Sequence, residues 1–464
     1  EATTTAESTS NQQTSEQTTA PADRSSRRVT RSLSYISTEL WVDGTNGSDT
    51  NEGSSSDPVK SLEKALELWG ETSFINTIHL KGNLNLTSTV TIPSGLTLKI
   101  ESEGATLTGT GNSIDGLVLS PGSTLTGTGT LTMSGFKTAL TAQDGSTITD
   151  GTYVFRNNAG ASGSRGISLG GTVSGSTNKN SVTITADDKS NTNFFESGVT
   201  FENATIKVTS QARTWNDARN LNLKNTDLTV EGFGQTFYVN QLNMNNSTLT
   251  INPSWYGATG MTIQGSSNIV NSTINANAGS TSGISVGVAG GTVNVTNSTL
   301  NFTNGGTGGL NVNTGDVIIN NSTIKGDGRN SGALFGAQTN GSIQFTGNSL
   351  VETPATKNSD NGAGQTRQNY NVVGGSYLLK YAPSYNSGFG STIPTNGAAN
   401  GNEVLSLFTL ADPSTNSLSL INANGATYTY PVANASSDGQ KHVWAPAATV
   451  TFDPEGGSPV NSQE

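Results

Sequence analysis

The chain has 464 residues and a formal charge of −11, from 23 basic and 34 acidic side chains. Only 12% of residues are charged and 31% hydrophobic, while glycine reaches 56. Such low charge excludes a disordered polyelectrolyte, and so few apolar residues exclude a conventional large core. The acidic balance speaks against nucleic acid as a partner, and no run approaches the ~18 apolar residues of a membrane span, so no membrane insertion is expected. Cysteine is absent, which removes disulfides, thiolate nucleophiles and zinc–thiolate sites. Two histidines, His79 and His442, leave little for histidine-based metal or triad chemistry.

Residues 1–38 are rich in Ser, Thr, Gln and Glu without apolar periodicity, and read as a disordered N-terminal segment. No charged start followed by an apolar run opens the chain, so any secretion signal is expected to have been removed. Residues 39–74 read as an entry loop and a capping helix. The stretch WVDGTNGSDTNE is dense in Asx and Gly turn chemistry. Asp57-Pro58 supplies an N-cap and a first-turn proline, and Val59, Leu62, Ala65, Leu66 and Trp69 recur on one helical face until Gly70. The acidic positions Asp43, Asn46, Asp49, Asn51 and Glu52 lack the spacing of an EF-hand. A turn-rich loop is expected there, with calcium as the alternative and no other cofactor or metal.

From residue 75 to 445 the pattern is strand-sized, Thr- and Val-rich alternation punctuated by Gly and Asn. After residue 200 a repeat becomes explicit, apolar-x-apolar-x-Asn-Ser/Thr-x-apolar, as in LNMNNSTLTI and VNVTNSTLNF. Its turn position falls at Asn203, Asn225, Asn246, Asn271, Asn297, Asn321 and Gly347, in steps of 22, 21, 25, 26, 24 and 26 by subtraction. A period of that size built from short strands predicts a solenoid. Asn tolerates the left-handed conformation as Gly does, and stacked copies can hydrogen-bond as a ladder. A variable loop and a third apolar run complete each repeat, so the expected fold is all-β, a parallel β-helix (β-solenoid) with three strands per coil. The register is lost from about residue 353, where irregular coils and a C-terminal cap are expected, because uncapped coils expose free strand edges.

The segment from Trp41 resembles the entry segment of pectate-lyase-like proteins, matching at Val42, Gly47, Asp49, Asn51, Gly53, Ser54, Pro58, Ser61, Leu62 and Ala65. The body from about 75 to 445 looks like the pectate-lyase-like adhesive domains of Gram-positive surface proteins, which implies a right-handed β-helix. Residues 446–464 look like the opening of an internalin-type B repeat, matching at Val450, Phe452, Asp453, Gly456 and Gly457. That resemblance implies a piece of a longer stalked wall protein, extracellular and attached to the cell surface.

A lyase of this fold needs an acidic calcium cluster with a basic residue nearby, and a glycosidase needs carboxylates grouped on one face. Asp187, Asp188, Asp227, Asp316 and Asp327 do not recur at the coil step, so no catalytic residue is assigned and no enzyme is expected. The loops instead carry Arg213, Trp215 and Arg219, then Phe233, then Trp255 and Tyr256, then Arg329. On consecutive coils these could form one stripe in which aromatic rings stack on sugars and Arg forks take carboxylates. The opposing reading packs the aromatics on the rod's own wall. The expectation is an adhesin that binds host or plant glycans, mucin or matrix components. A polysaccharide lyase or hydrolase is the alternative, and a ligand-free stalk the second.

Overall fold

The alternating runs form strands, and the computed structural model winds them into a right-handed parallel β-helix. It describes residues 37–159, 165–187, 194–210, 215–234, 236–254, 259–278, 283–303, 308–326, 333–346 and 349–354, then the strands 367–372, 377–380, 408–409, 419–422, 427–428 and 441–444. Residues 1–36 and 446–464, with the expectations attached to them, lie outside the described residues.

Three parallel ladders make the walls. The first begins at Glu39–Asp43, which pairs with 77–81, and continues in register to 342–346. After the Asn corner the second ladder runs from 82–85 to Ser349–Pro354. After the variable loop the third runs from Val90–Ile92 to 333–337. Parallel pairing lets each coil satisfy the backbone of the next, and one inward residue in two fills the interior. Leu223, Met244, Ile269, Val295 and Ile319 stand in one such buried column. Aromatic rings widen the core mid-rod, where Phe195 meets Phe201 and Phe237 edge-on at 5.9 and 6.4 Å. A thin interior of this kind reconciles the low apolar content with a folded chain.

The capping helix, α1, spans Leu62–Glu71 and starts later than the sequence predicts. Val59 is held extended by a parallel bridge to Val42, and Ser61, not Asp57, is the N-cap, its hydroxyl accepting from Lys64 N at 3.1 Å. The cause is Asp49, whose carboxylate accepts from the Lys60 and Ser61 amides at 2.9 Å and the Ser61 hydroxyl at 2.8 Å. Gly70 lies inside the helix, and Thr72 is its C-cap. Leu62 and Ala65 are buried against the first coils.

At the other end, beyond Pro354, antiparallel pairs join the parallel ones, which continue where Phe408–Thr409 pairs with 335–336 and Lys441–Trp444 with 369–372. Arg367–Val372 runs antiparallel to Ser349–Pro354, and Tyr377–Lys380 antiparallel to 342–345. Ser419–Asn422 then pairs antiparallel with Tyr377–Lys380.

Candidate functional site

Each Asn corner carries a backbone demand that the sequence pattern announces. Asn203, Asn225, Asn246, Asn271, Asn297 and Asn321 all have φ between 44 and 50°, a region where Asn and Gly cost least. Asn225 Nδ2 donates to Asn203 Oδ1 at 2.8 Å, and Asn246 Nδ2 to Asn225 Oδ1 at 3.1 Å. Gly347, the seventh expected corner position, lies outside the described residues.

Beside this column runs a second one that the sequence reading missed. After Asn246, Asn271, Asn297 and Asn321 comes a buried Ser whose Oγ accepts the amide of the equivalent residue one coil earlier, and Ser349 does the same for the last. The chain of contacts is Thr226 N to Ser247, Ser247 N to Ser272, Ser272 N to Ser298, Ser298 N to Ser322 and Ser322 N to Ser349, all at 3.0–3.2 Å. The hydroxyls of Ser247, Ser272, Ser298 and Ser322 in turn donate to the carbonyl two residues before. Both corner columns are structural.

The expected ligand stripe lies along the third ladder and its loops. Phe233 is corrected: it is fully buried and packs on Phe237 at 6.3 Å, because its loop turns the ring into the core, so it offers no face to a ligand. Trp215 opens the strand Trp215–Glu231 and pairs with Phe237 one coil on. Arg219 is half-buried in the same strand, in register with Val239. Arg213, Trp255, Tyr256 and Arg329 lie outside the described residues. The structure adds other polar groups on this wall. The Ser168 hydroxyl donates to Glu196, which Arg165 approaches at 3.6 Å. Farther along, Tyr238, Thr262, Gly287, Asn311 and Gly336 follow one another in register.

The outer faces of the other two ladders are regular. On the first, Thr97, Thr124, Thr147, Thr172 and Thr200 are succeeded in the same column by Asn222, Asn243, Asn268 and Asn294. On the second, Thr130, Thr152, Thr183 and Thr205 lead through Asp227 to Thr248, Thr273, Thr299 and Thr323. Amide contacts such as Asn243 Nδ2 to Asn222 Oδ1 at 3.0 Å and Asn301 Nδ2 to Asn275 Oδ1 at 2.8 Å tie the coils together. Two carboxylates of the second ladder are engaged, Asp227 with Lys179 at 2.9 Å and Glu231 with Lys207 at 3.2 Å.

Charge gathers on the first coils. Trp41 stacks on His79 at 4.3 Å with rings 2° from parallel. His79 Nδ1 contacts Glu101, and Nε2 lies 3.3 Å from Glu39 Oε1 but out of line for a hydrogen bond. A polar groove of about 640 Å³ opens beside them, lined by Asp43, Lys81, Asn83, Glu103, Thr106 and Thr132 among others. Lys81 and Glu103 pair across it at 3.4 Å. The Ser102 hydroxyl, Glu103's own amide and Lys81 hold the Glu103 carboxyl below its usual range, the amide most strongly. In the adjoining acidic loop the carboxylates close turns, Asp43 Oδ1 accepting from the Thr45 and Asn46 amides at 3.0 Å.

Among the described residues no group of three or more His, Cys, Asp or Glu side chains is arranged to hold a metal, and no helix is long and apolar enough to cross a membrane. The chain matches no family model, no curated protein and no solved structure.

Proposed function

We propose that this chain is a non-catalytic adhesive rod, displayed at a bacterial cell surface, that binds host or plant polysaccharide along its length. The observation that carries the reading is the in-register Thr and Asn columns on the outer walls. They repeat hydroxyl and amide groups every ~4.8 Å, a surface suited to a polymer that is itself a repeat of hydroxyl groups. Contact repeated over many coils gives avidity from individually weak bonds. The pairing of Asp227 and Glu231 with lysines favours a binding role over a hydrolytic one, since neither is free to act as acid or base. The loop residues Arg213, Trp215, Arg219, Trp255, Tyr256 and Arg329 remain part of this reading as contacts beside the third ladder.

The test is a pull-down of the purified chain on insoluble polysaccharides and mucin, with titration against soluble fragments at pH 4 to 7. Retention on at least one polymer without release of reducing ends or unsaturated products is expected. Product formation with uronans would install the lyase or hydrolase instead, and failure to bind any polymer would leave the ligand-free stalk.

A further inference from the structure

The groove on the first coils arises from a mismatch between two windings. Leu80 pairs with Ile100 but Gly82 with Ala105, so Lys81 alone stands opposite Glu101, Ser102, Glu103 and Gly104. These surplus residues cannot all join the ladder, and Ser102 and Glu103 stand exposed at the corner. From Asn203 onward the same corner narrows to one residue. Along the groove Asn83, Thr106 and Thr132 follow one another in register on the outer face of the second ladder. The first of these is exposed and the other two are half-buried, so all three are open to solvent. Residues 43–46, 81–83, 102–106 and 128–132 contribute in turn to the lining. Three steps between four windings, at ~4.8 Å each, make the groove about 14 Å long, enough for an oligosaccharide laid along the rod. The Lys81 and Glu103 side chains are 36% and 59% exposed. An ion pair that accessible contributes little by itself, so a ligand can share it.

We infer that this groove holds a short stretch of a neutral polysaccharide, with sugar hydroxyls bridging Lys81 and Glu103. An ammonium is a donor only and an ionised carboxylate an acceptor only, whereas each hydroxyl both donates and accepts. Two neighbouring hydroxyls of one sugar ring therefore serve both charges without separating them, through charge-assisted hydrogen bonds. Asn83, Thr106 and Thr132 offer amide and hydroxyl groups to the units beside it. An acidic sugar could take Lys81 only by displacing Glu103, in a groove whose charged lining is Asp43, Lys81 and Glu103. This inference rests on the polysaccharide-binding reading and gives it a place and a sugar class.

The experiment titrates the whole chain by calorimetry with neutral hexasaccharides (cello-, laminari- and mannohexaose), with hexagalacturonate as the acidic comparator. At least one neutral hexasaccharide should bind once per chain. Glu103→Ala should weaken it about tenfold, as expected for losing a hydrogen bond to a charged group. Thr106→Trp, which fills the groove, should abolish binding, and both variants should keep the melting temperature. If Thr106→Trp fails to fold, Glu103→Ala decides alone. Unaltered neutral-sugar affinity in either folded variant, binding of hexagalacturonate only, or retention on a polymer with no hexasaccharide bound overturns the groove while leaving the adhesive rod in place. Failure of the unmodified chain to bind any polymer or fragment overturns both.

Discussion

Ser298 shows how a single small side chain can hold two coils. Its Oγ accepts the buried Ser272 amide at 3.0 Å and donates to Thr296 O at 2.7 Å. Replacing it with Ala leaves the Ser272 N–H unsatisfied, and a loss of about 1–3 kcal/mol is expected from urea titration. Ser298→Thr should recover most of that, since Thr226 makes the same backward bond to Lys224 O at 2.9 Å. The neighbouring Asn behaves differently. With φ of 48° at Asn246, Asn246→Ala should cost about 1–2 kcal/mol in backbone strain, on top of the lost 3.1 Å ladder bond. Asn246→Gly should lose only the bond. The asparagine was readable in the sequence because its conformation is a local property. The serine was just as repetitive, but its meaning depends on which side of the corner faces inward, and no single coil reveals that. His79 was hidden in the same way: Trp41, Glu39 and Glu101 meet it only through the registers 39 to 77 and 77 to 97.

Among the elements, α1 and the loop before it act as one unit. Burial would raise the Asp49 carboxyl pKa, but the Ser61 hydroxyl, the Ser61 and Lys60 amides and the Lys64 charge outweigh it and bring it below the ordinary value. A depressed folded value means that this stabilisation is complete above the unfolded carboxyl range. It is lost as the pH falls through the folded value. Asp49→Asn should therefore remove an acid-sensitive step from unfolding curves below pH 4 and cost about 1 kcal/mol at neutral pH. Faster hydrogen exchange at the Lys60 and Ser61 amides is the direct check. Helical periodicity placed α1 but not its start, because Asp57-Pro58 is a sound local signal overruled by the bridge from Val42 to Val59. Strand-sized runs and their third members were legible throughout, since inward and outward positions alternate in any register. The loop aromatics were not. Phe233 joins Phe237 in the core, and Phe237→Ala should cost about 3–5 kcal/mol.

Across the described coils the strand ladders join each coil to its neighbours, with a few longer ties such as Lys179 to Asp227, so stability is close to a sum of coil and interface terms. The acidic surface shapes binding at the same scale. A net charge of −11 repels polyanions over about a Debye length. Affinity for an acidic polymer should therefore rise with salt, and as the pH drops toward carboxyl values, whereas affinity for a neutral one should change little between 20 and 300 mM salt, a range over which the Debye length falls from about 20 Å to about 6 Å. A steep fall of acidic-polymer affinity with added salt would contradict this picture. Its ends are closed differently: α1 and the segment carrying Val59 cover the first coils, and antiparallel strands join the parallel ones at the other end.

The serine column also bears on how rods of this kind change length. Ser247 and Ser272 are equivalent points 25 residues apart, each accepting from the coil before it and donating its amide to the coil after. Excising residues 247–271 would join Asn246 directly to Ser272, recreating an Asn-Ser corner with Thr226 as its upstream neighbour. Duplication or loss of such a unit in the coding sequence would yield a longer or shorter fibre with no new junction to invent, so reach becomes a heritable trait adjustable in whole increments.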